Sequence, residues 1–278
     1  MPSNDYDWRK GWRKYLRTFT LGWQEQMAYR ANNLLESLIG VISFLVLFFL
    51  WRSIYQSNHQ QPIAGLTFQG MLTYILLAKF WDWALDPSEE VDNALPQDIR
   101  NGGLNRFLIR PISDRLYRFA LYVSHKALYI LLRIIPVILL VLIFPATFRL
   151  TPQVTWWLLP LAGLFAMLLQ FFFSYAVAMI AFWWLEIWGV LFLKRLIVSF
   201  LAGSWLPLTI LPPRAAEIFL ALPFQYMIFF PVQLALGQLS WKAALQGMGY
   251  QMLWIGVFIL LGKIGWTLGM KRYSAAGA

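Results

Sequence analysis

Residues 98–115 read DIRNGGLNRFLIRPISDR, and they interrupt a chain that is otherwise dominated by apolar runs. Four arginines, a Gly-Gly pair and a proline within a few turns make this stretch too polar to cross a bilayer and too punctuated for a plain linker. Apolar runs flank it near residues 66–85 and 119–144, each matching the roughly 20 residues that a helix needs to span the hydrocarbon core. Further runs lie near 33–54, 155–184, 190–210 and 246–268, which makes six. Of 278 residues 59% are hydrophobic and 13% charged, against about 25% charged in soluble domains. The expected fold is a single transmembrane domain over 1–278, an all-α membrane protein of six transmembrane helices. Added to these are an N-terminal amphipathic interfacial helix (7–25), a polar segment (86–118) and a Pro-rich outer-leaflet segment (211–240).

The basic residues give an orientation through the positive-inside rule. Arg9, Lys10, Arg13, Lys14, Arg17 and Arg30 precede the first span, and Arg100, Arg106, Arg110, Arg115 and Arg118 follow the second. The alternate loops are poor in Lys and Arg: Arg52 after the first span and Arg149 after the third. Both termini and segment 86–118 are therefore expected in the cytoplasm. Anionic lipid beside these flanks accounts for the net charge of +10, so no nucleic-acid partner is implied. The opening thirty residues lack an apolar core typical of a cleaved leader, and the first span is expected to be its own insertion signal. The chain has no cysteine, which excludes disulfides and thiolate chemistry.

Trp8, Trp12, Tyr15, Phe19 and Trp23 recur at helical spacing, with Arg9, Lys10, Arg13, Lys14 and Arg17 opposite. This pattern suits a helix lying in the headgroup plane, aromatic side down. In 86–118, Asp86, Pro87 and Glu89 signal a helix start, and Pro96 is expected to end that helix. A second short piece carries Asp98 and Arg100, Gly102-Gly103 breaks the chain, and one amphipathic turn follows before Pro111. Charge runs are usually solvated faces; here Leu104, Phe107, Leu108 and Ile109 are mixed with the arginines, the composition of protein contacts. Residues 200–238 are apolar yet carry Pro207, Pro212, Pro213, Pro223 and Pro231. They suit half-helical or re-entrant backbone buried by protein, with Pro212-Pro213 opening a helix in which Arg214 and Glu217 are spaced to pair.

Catalytic patterns are sparse. GVFILLGKI (256–264) departs from a phosphate-binding loop in spacing and in its last residue. Two histidines, His59 and His125, do not suffice for a metal cluster or a His-based triad. Glu217 is the sole carboxylate expected on the outer side, which disfavours hydrolytic chemistry there. Ionisable residues inside spans are Glu36, Lys79, Asp82, Lys126, Arg133 and Lys263. The first four fall toward cytoplasmic span ends, where Lys79 and Asp82 can pair at i, i+3. A structural ion-pair cluster of Glu36, Lys79, Asp82, Lys126 and Arg133 is the expectation. Arg133 lies deepest, with Asp82, Glu36 or carbonyls freed by Pro136 as acceptors.

Three stretches resemble the ATP-binding-cassette type 2 (ABC-2) permease family, in its daunorubicin-exporter-like branch. They are AYRANNLLESLIGVISFLVLFFLWRSIY (28–55), IRNGGLNRFLIRPISDRLYRF (99–119) and LAGSWLPLTILPPRAAEIFLALPFQYMIFFPVQLALG (201–237). The second has the family's I-x-x-G-x-L…L-x-x-P order, departing from it in the extra Gly103. The resemblance implies a permease subunit of an exporter in the plasma (bacterial inner) membrane, itself not an enzyme. It also implies a homodimer or a heterodimer with a sister permease, and separate cytoplasmic ABC ATPase subunits that bind ATP and Mg. In that family the segment between spans two and three carries a coupling helix seated in the ATPase, a role that falls here on Asp98, Arg100, Leu104, Arg106, Phe107 and Arg110. A hydrophobic or amphiphilic substrate is implied. The competing classes are a membrane-embedded lipid- or glycan-modifying enzyme and an ATP-independent carrier or channel, for which an internal repeat is expected.

Overall fold

The computed structural model describes residues 8–63, 65–109, 112–145, 147–148, 153–184 and 186–273. Helices α1 (Trp8–Ala28), α2 (Arg30–Ser57) and α3 (Phe68–Leu85) come first. Segment 86–118 then contributes a π-helical turn (Ser88–Asn93), α4 (Ala94–Arg100) and α5 (Asn105–Leu108), and leads into α6 (Asp114–Ile143). After it come α7 (Leu159–Ala178) with 3-10 turns at both ends, α8 (Trp188–Leu201), α9 (Pro213–Ala221), α10 (Phe229–Ala235) and α11 (Trp241–Met270). The only extended pairing among the described residues is an isolated bridge between Ile63 and Leu66. Thr67 and Ser240 cap α3 and α11, their hydroxyls accepting from the Gly70 and Ala243 amides at 3.2 and 3.3 Å, as N-cap residues do.

Four described stretches are long and apolar enough to cross a membrane: Gly40–Ser57, Asp114–Ile143, Val154–Phe182 and Trp241–Met270. The run expected over 190–210 is corrected to a shorter helix. α8 has 14 residues, or about 21 Å, because Gly203 turns into the left-handed region at φ +79° and Pro207 follows. The irregular backbone beyond it is paired inside protein: Tyr74 donates to the Gly203 carbonyl at 2.6 Å and the Phe229 amide to the Ala202 carbonyl at 3.0 Å. The Pro-rich segment over 211–240 breaks into α9, a 3-10 turn opened by Pro223, and α10. Gln251 of α11 donates to the carbonyls of Ala162 and Tyr226 at 3.1 and 2.9 Å, meeting the requirement that broken backbone at membrane depth find internal partners.

Two apolar cores stack along the bundle. The larger gathers Tyr74, Ile75, Leu169, Phe229, Phe230 and Phe258 with their neighbours. The smaller joins Leu85, Val91, Leu95, Ile99 and Leu104 to Tyr122, Phe171 and Tyr175. α11 lies against α7 and the 3-10 turn that follows it because Gly262, Gly265 and Gly269 fall on one face; a Cβ on Gly265 would stand 2.8 Å from Met179 Cβ. Small residues permit such close helix approach.

Other expectations are also revised. Pro96 does not end a helix: the π-helical turn passes directly into α4, whose third residue is Pro96, within the first turn where a proline is tolerated. α6 begins at Asp114, ahead of the expected 119, because the first turn carries Asp114 and Arg118, which are buried and paired with each other beneath segment 86–109. α1 forms over the expected stretch, but one side of it packs on α6. The Ser124 hydroxyl donates to the Phe19 carbonyl at 2.7 Å, and the Ser113 amide to the Tyr15 hydroxyl at 3.2 Å. Trp12 on the aromatic stripe is 66% exposed. Arg214 and Glu217 are both exposed, and among the described residues no ion pair joins them, since water solvates each at little cost.

Candidate functional site

Segment 86–109 is a folded cap on the ends of the long helices, and its central group is Arg118. This side chain is 2% exposed. Its Nε donates to Asp114 Oδ1 at 2.9 Å, Nη1 to the Glu90 carbonyl at 3.1 Å and Nη2 to Asp98 Oδ2 at 2.5 Å. The guanidinium thus joins the π-helical turn, α4 and α6 through charge-assisted bonds. Asp98 Oδ2 also accepts from Arg106 Nη2 at 2.6 Å. The Phe107 ring lies under the Arg106 guanidinium at 4.8 Å and near that of Arg118 at 5.9 Å, and it packs on Tyr117 at 5.2 Å. Gly102 takes φ +75°, and a side chain on Gly103 would collide with the Asp98 carboxylate. The extra glycine that departs from the family pattern therefore makes room for the Asp98 network.

This geometry divides the expected coupling residues. Leu104 is fully buried in the smaller core, which corrects its expected place at the contact surface: it anchors the segment to its own chain. Asp98 is committed to two arginines, and Arg100 reaches Glu186 at 2.5 Å. Arg106 and Phe107 brace the same network. Arg110 lies outside the described residues. Leu108 and Ile109, 51% and 81% exposed, form the protruding apolar tip. Arg118 was legible only as a loop charge; the Asp114–Arg118 spacing at i, i+4 was the available signal.

The intramembrane charges resolve into separate groups. Lys79 Nζ stands 3.7 Å from Asp82 Oδ2, and Ser204 bridges them, accepting from Lys79 at 3.1 Å and donating to Asp82 at 2.5 Å. Lys126 is buried elsewhere, its ammonium 5.1 Å from the Tyr129 ring centroid, a cation–π geometry. The side chains of Glu36 and Arg133 lie outside the described residues. Sequence reasoning missed a further network, in which Lys194 of α8 donates to Asp92 Oδ2 at 2.5 Å and to the Ser174 hydroxyl at 2.9 Å. Burial pushes the Asp92 carboxyl up to about 6 despite the neighbouring Lys194. Between about pH 4 and 6 the folded chain then holds a proton that the unfolded chain releases. This contribution to stability is full below pH ~4 and is lost as pH rises through ~6, about 3 kcal/mol in all. Asp92→Asn removes this dependence. Unfolding in detergent at several pH values is expected to show the wild-type minus variant difference falling across that window, and a flat difference contradicts the assignment.

Two histidines were not expected to suffice for a metal cluster, yet His125 meets two carboxylates. Its Nδ1 lies 2.6 Å from Glu90 Oε1 and 4.0 Å from Glu89, so three possible metal ligands converge within 4.8 Å. Nε2 faces α1, 3.2 Å from where a Cβ on Gly22 would stand, and Nδ1 is already bonded. The arrangement is that of a buried histidine–carboxylate hydrogen bond, and no metal is assigned to it.

Long apolar helices, a folded polar cap pinned to them by buried ion pairs, and a run of broken helices define a multi-pass, all-α membrane protein. The chain belongs to the ABC-2 family of transporters: the family described as ABC-2 family transporter protein matches residues 41–277. It is accordingly the membrane-embedded permease of an ABC transporter. No curated protein and no solved structure matches it. The likeness to the daunorubicin-exporter branch rests on the three quoted stretches alone.

Proposed function

We propose that this permease is half of an exporter in the plasma (bacterial inner) membrane, with six spans, the fifth completed by the irregular backbone that follows α8, and both termini cytoplasmic. It pairs with itself or a sister permease and recruits two separate ABC ATPase subunits. ATP and Mg bind in those subunits, and this chain catalyses no reaction of its own. The cargo is a hydrophobic or amphiphilic molecule. The observation that carries the reading is the exposed Leu108–Ile109 tip on a cap whose interior is tied to the long helices. An ATPase pushing on the tip acts through Phe107 and Arg118 on α6, and through Arg100–Glu186 and Asp92–Lys194 on α8 and the turn before it. Such rigid-body transmission suits a switch between access states.

The test is copurification of a cytoplasmic ATPase with the tagged chain from native membranes. Ile109→Asp is expected to reduce ATPase recovery at least about ten-fold, as loss of an apolar anchor does, while insertion and thermal stability stay unchanged. Undiminished recovery removes the tip from the contact. Single cysteines at Gln61 and Asn101 should label from opposite membrane faces, and labelling from one face overturns the orientation.

A further inference from the structure

An open cleft lies where α5, the start of α6 and the last third of α11 meet. Two cations line it, Arg115 and Lys263, and neither has a carboxylate partner among the described residues. The carboxylate in its wall, Asp114, is engaged at both oxygens, by Arg118 Nε at 2.9 Å and the Tyr175 hydroxyl at 3.2 Å. The exposed Ser113 adds a hydroxyl. The remaining wall is apolar, from Leu108, Ile112 and Trp266. On α11 the neighbouring Leu260, Leu261, Ile264 and Leu268 are exposed, so an acyl chain has an apolar surface leading into the cleft. Lys263 stands seven residues before the end of α11 at Met270, about 10 Å of helix, a depth from which a lysine reaches the headgroups. Trp266 is the residue type enriched at that level.

We propose that this cleft binds one anionic phospholipid, its phosphodiester held by Arg115 and Lys263 and its chains laid along α11. The reading rests on the orientation proposed above, which puts the cleft at the inner leaflet, where anionic lipid meets basic pockets between spanning helices. Leu108 belongs both to this cleft and to the exposed tip, so the bound lipid braces the element that meets the ATPase.

The full chain, purified in detergent without ATPase, is exposed to equimolar phosphatidylglycerol and phosphatidylcholine, washed, and its retained lipid counted by mass spectrometry. Phosphatidylglycerol is expected to be retained about ten-fold over phosphatidylcholine. Arg115→Gln or Lys263→Gln should each lower that preference about five-fold, from the usual contribution of one cation near an anionic lipid, and the pair should abolish it. Lys263→Arg should restore it, and Lys242→Gln at the other end of α11 should leave it unchanged. Equal retention of the two lipids by the wild-type chain, or a preference indifferent to both substitutions, overturns the proposal. Displacement of the lipid by equimolar glycerol phosphate overturns it too, because the cleft then takes free phosphate. Loss of ATPase recovery in Lys263→Gln with lipid retention intact assigns the cleft to the ATPase instead. Should the double variant fail to fold, the competition on the wild-type chain decides. Cysteine labelling reports orientation separately, so failure of the lipid site is distinguishable from failure of the orientation.

Discussion

Arg118→Leu is expected to detach segment 86–109 from the long helices and abolish transport. The substitution leaves the buried Asp114 carboxylate held by the Tyr175 hydroxyl without its cation, and Asp98 with Arg106 in place of two arginines. Breaking a buried pair from one side costs roughly 3–5 kcal/mol, a large share of the stability of a typical domain. Limited proteolysis of membranes should show cleavage within 86–109 in the variant and protection in the wild type. Neutralising the partners as well, Arg118→Leu with Asp98→Asn and Asp114→Asn, should recover much of the protection, because removing a whole buried network is far cheaper than removing half of it. A protected segment in the single variant would show that the apolar core alone holds the cap.

Leu104→Asp is expected to be comparably severe and Ile109→Asp nearly silent for folding, although the two lie five residues apart in one amphipathic stretch. Leu104 is fully buried among Leu95, Ile99 and Tyr122, whereas Ile109 is 81% exposed. A carboxylate at the first position must be desolvated or protonated, at a cost of several kcal/mol, and even Leu104→Ala should cost about 2–5 kcal/mol. At the second, the change should stay within about 0.5 kcal/mol. Thermal unfolding of the two variants in detergent separates them, and similar midpoints would mean that the buried and exposed faces of this segment have been misassigned.

The apolar runs near 33–54, 66–85, 119–144, 155–184 and 246–268 announced long helices because their composition alone leaves no soluble alternative, and α2, α3, α6, α7 and α11 occupy them. The helix breaks over 211–240 were legible as well, since Pro212, Pro213 and Pro223 act locally on the backbone. The run over 190–210 misled, because hydropathy is blind to the left-handed turn at Gly203, which Tyr74 holds from a distant helix. The candidate site was less legible still. Leu104 and Ile109 are similar in a sequence, and which one is buried depends on where α6 and α7 present Tyr122 and Phe171.

What the sequence determined by itself, then, are properties fixed by neighbours in the chain: membrane class, helical state, the polar interruption at 98–115 and the Gly and Pro positions where helices break. Only the tertiary structure decided that Arg118 joins Asp98 to Asp114, that Lys194 meets Asp92 and Ser174, and that Ser204 links Lys79 to Asp82. The physical reason is that a buried charge is stable only beside its partner. Those partners, apart from the i, i+4 pair of Asp114 with Arg118 and the i, i+3 pair of Lys79 with Asp82, sit on helices that meet through packing and not through sequence proximity.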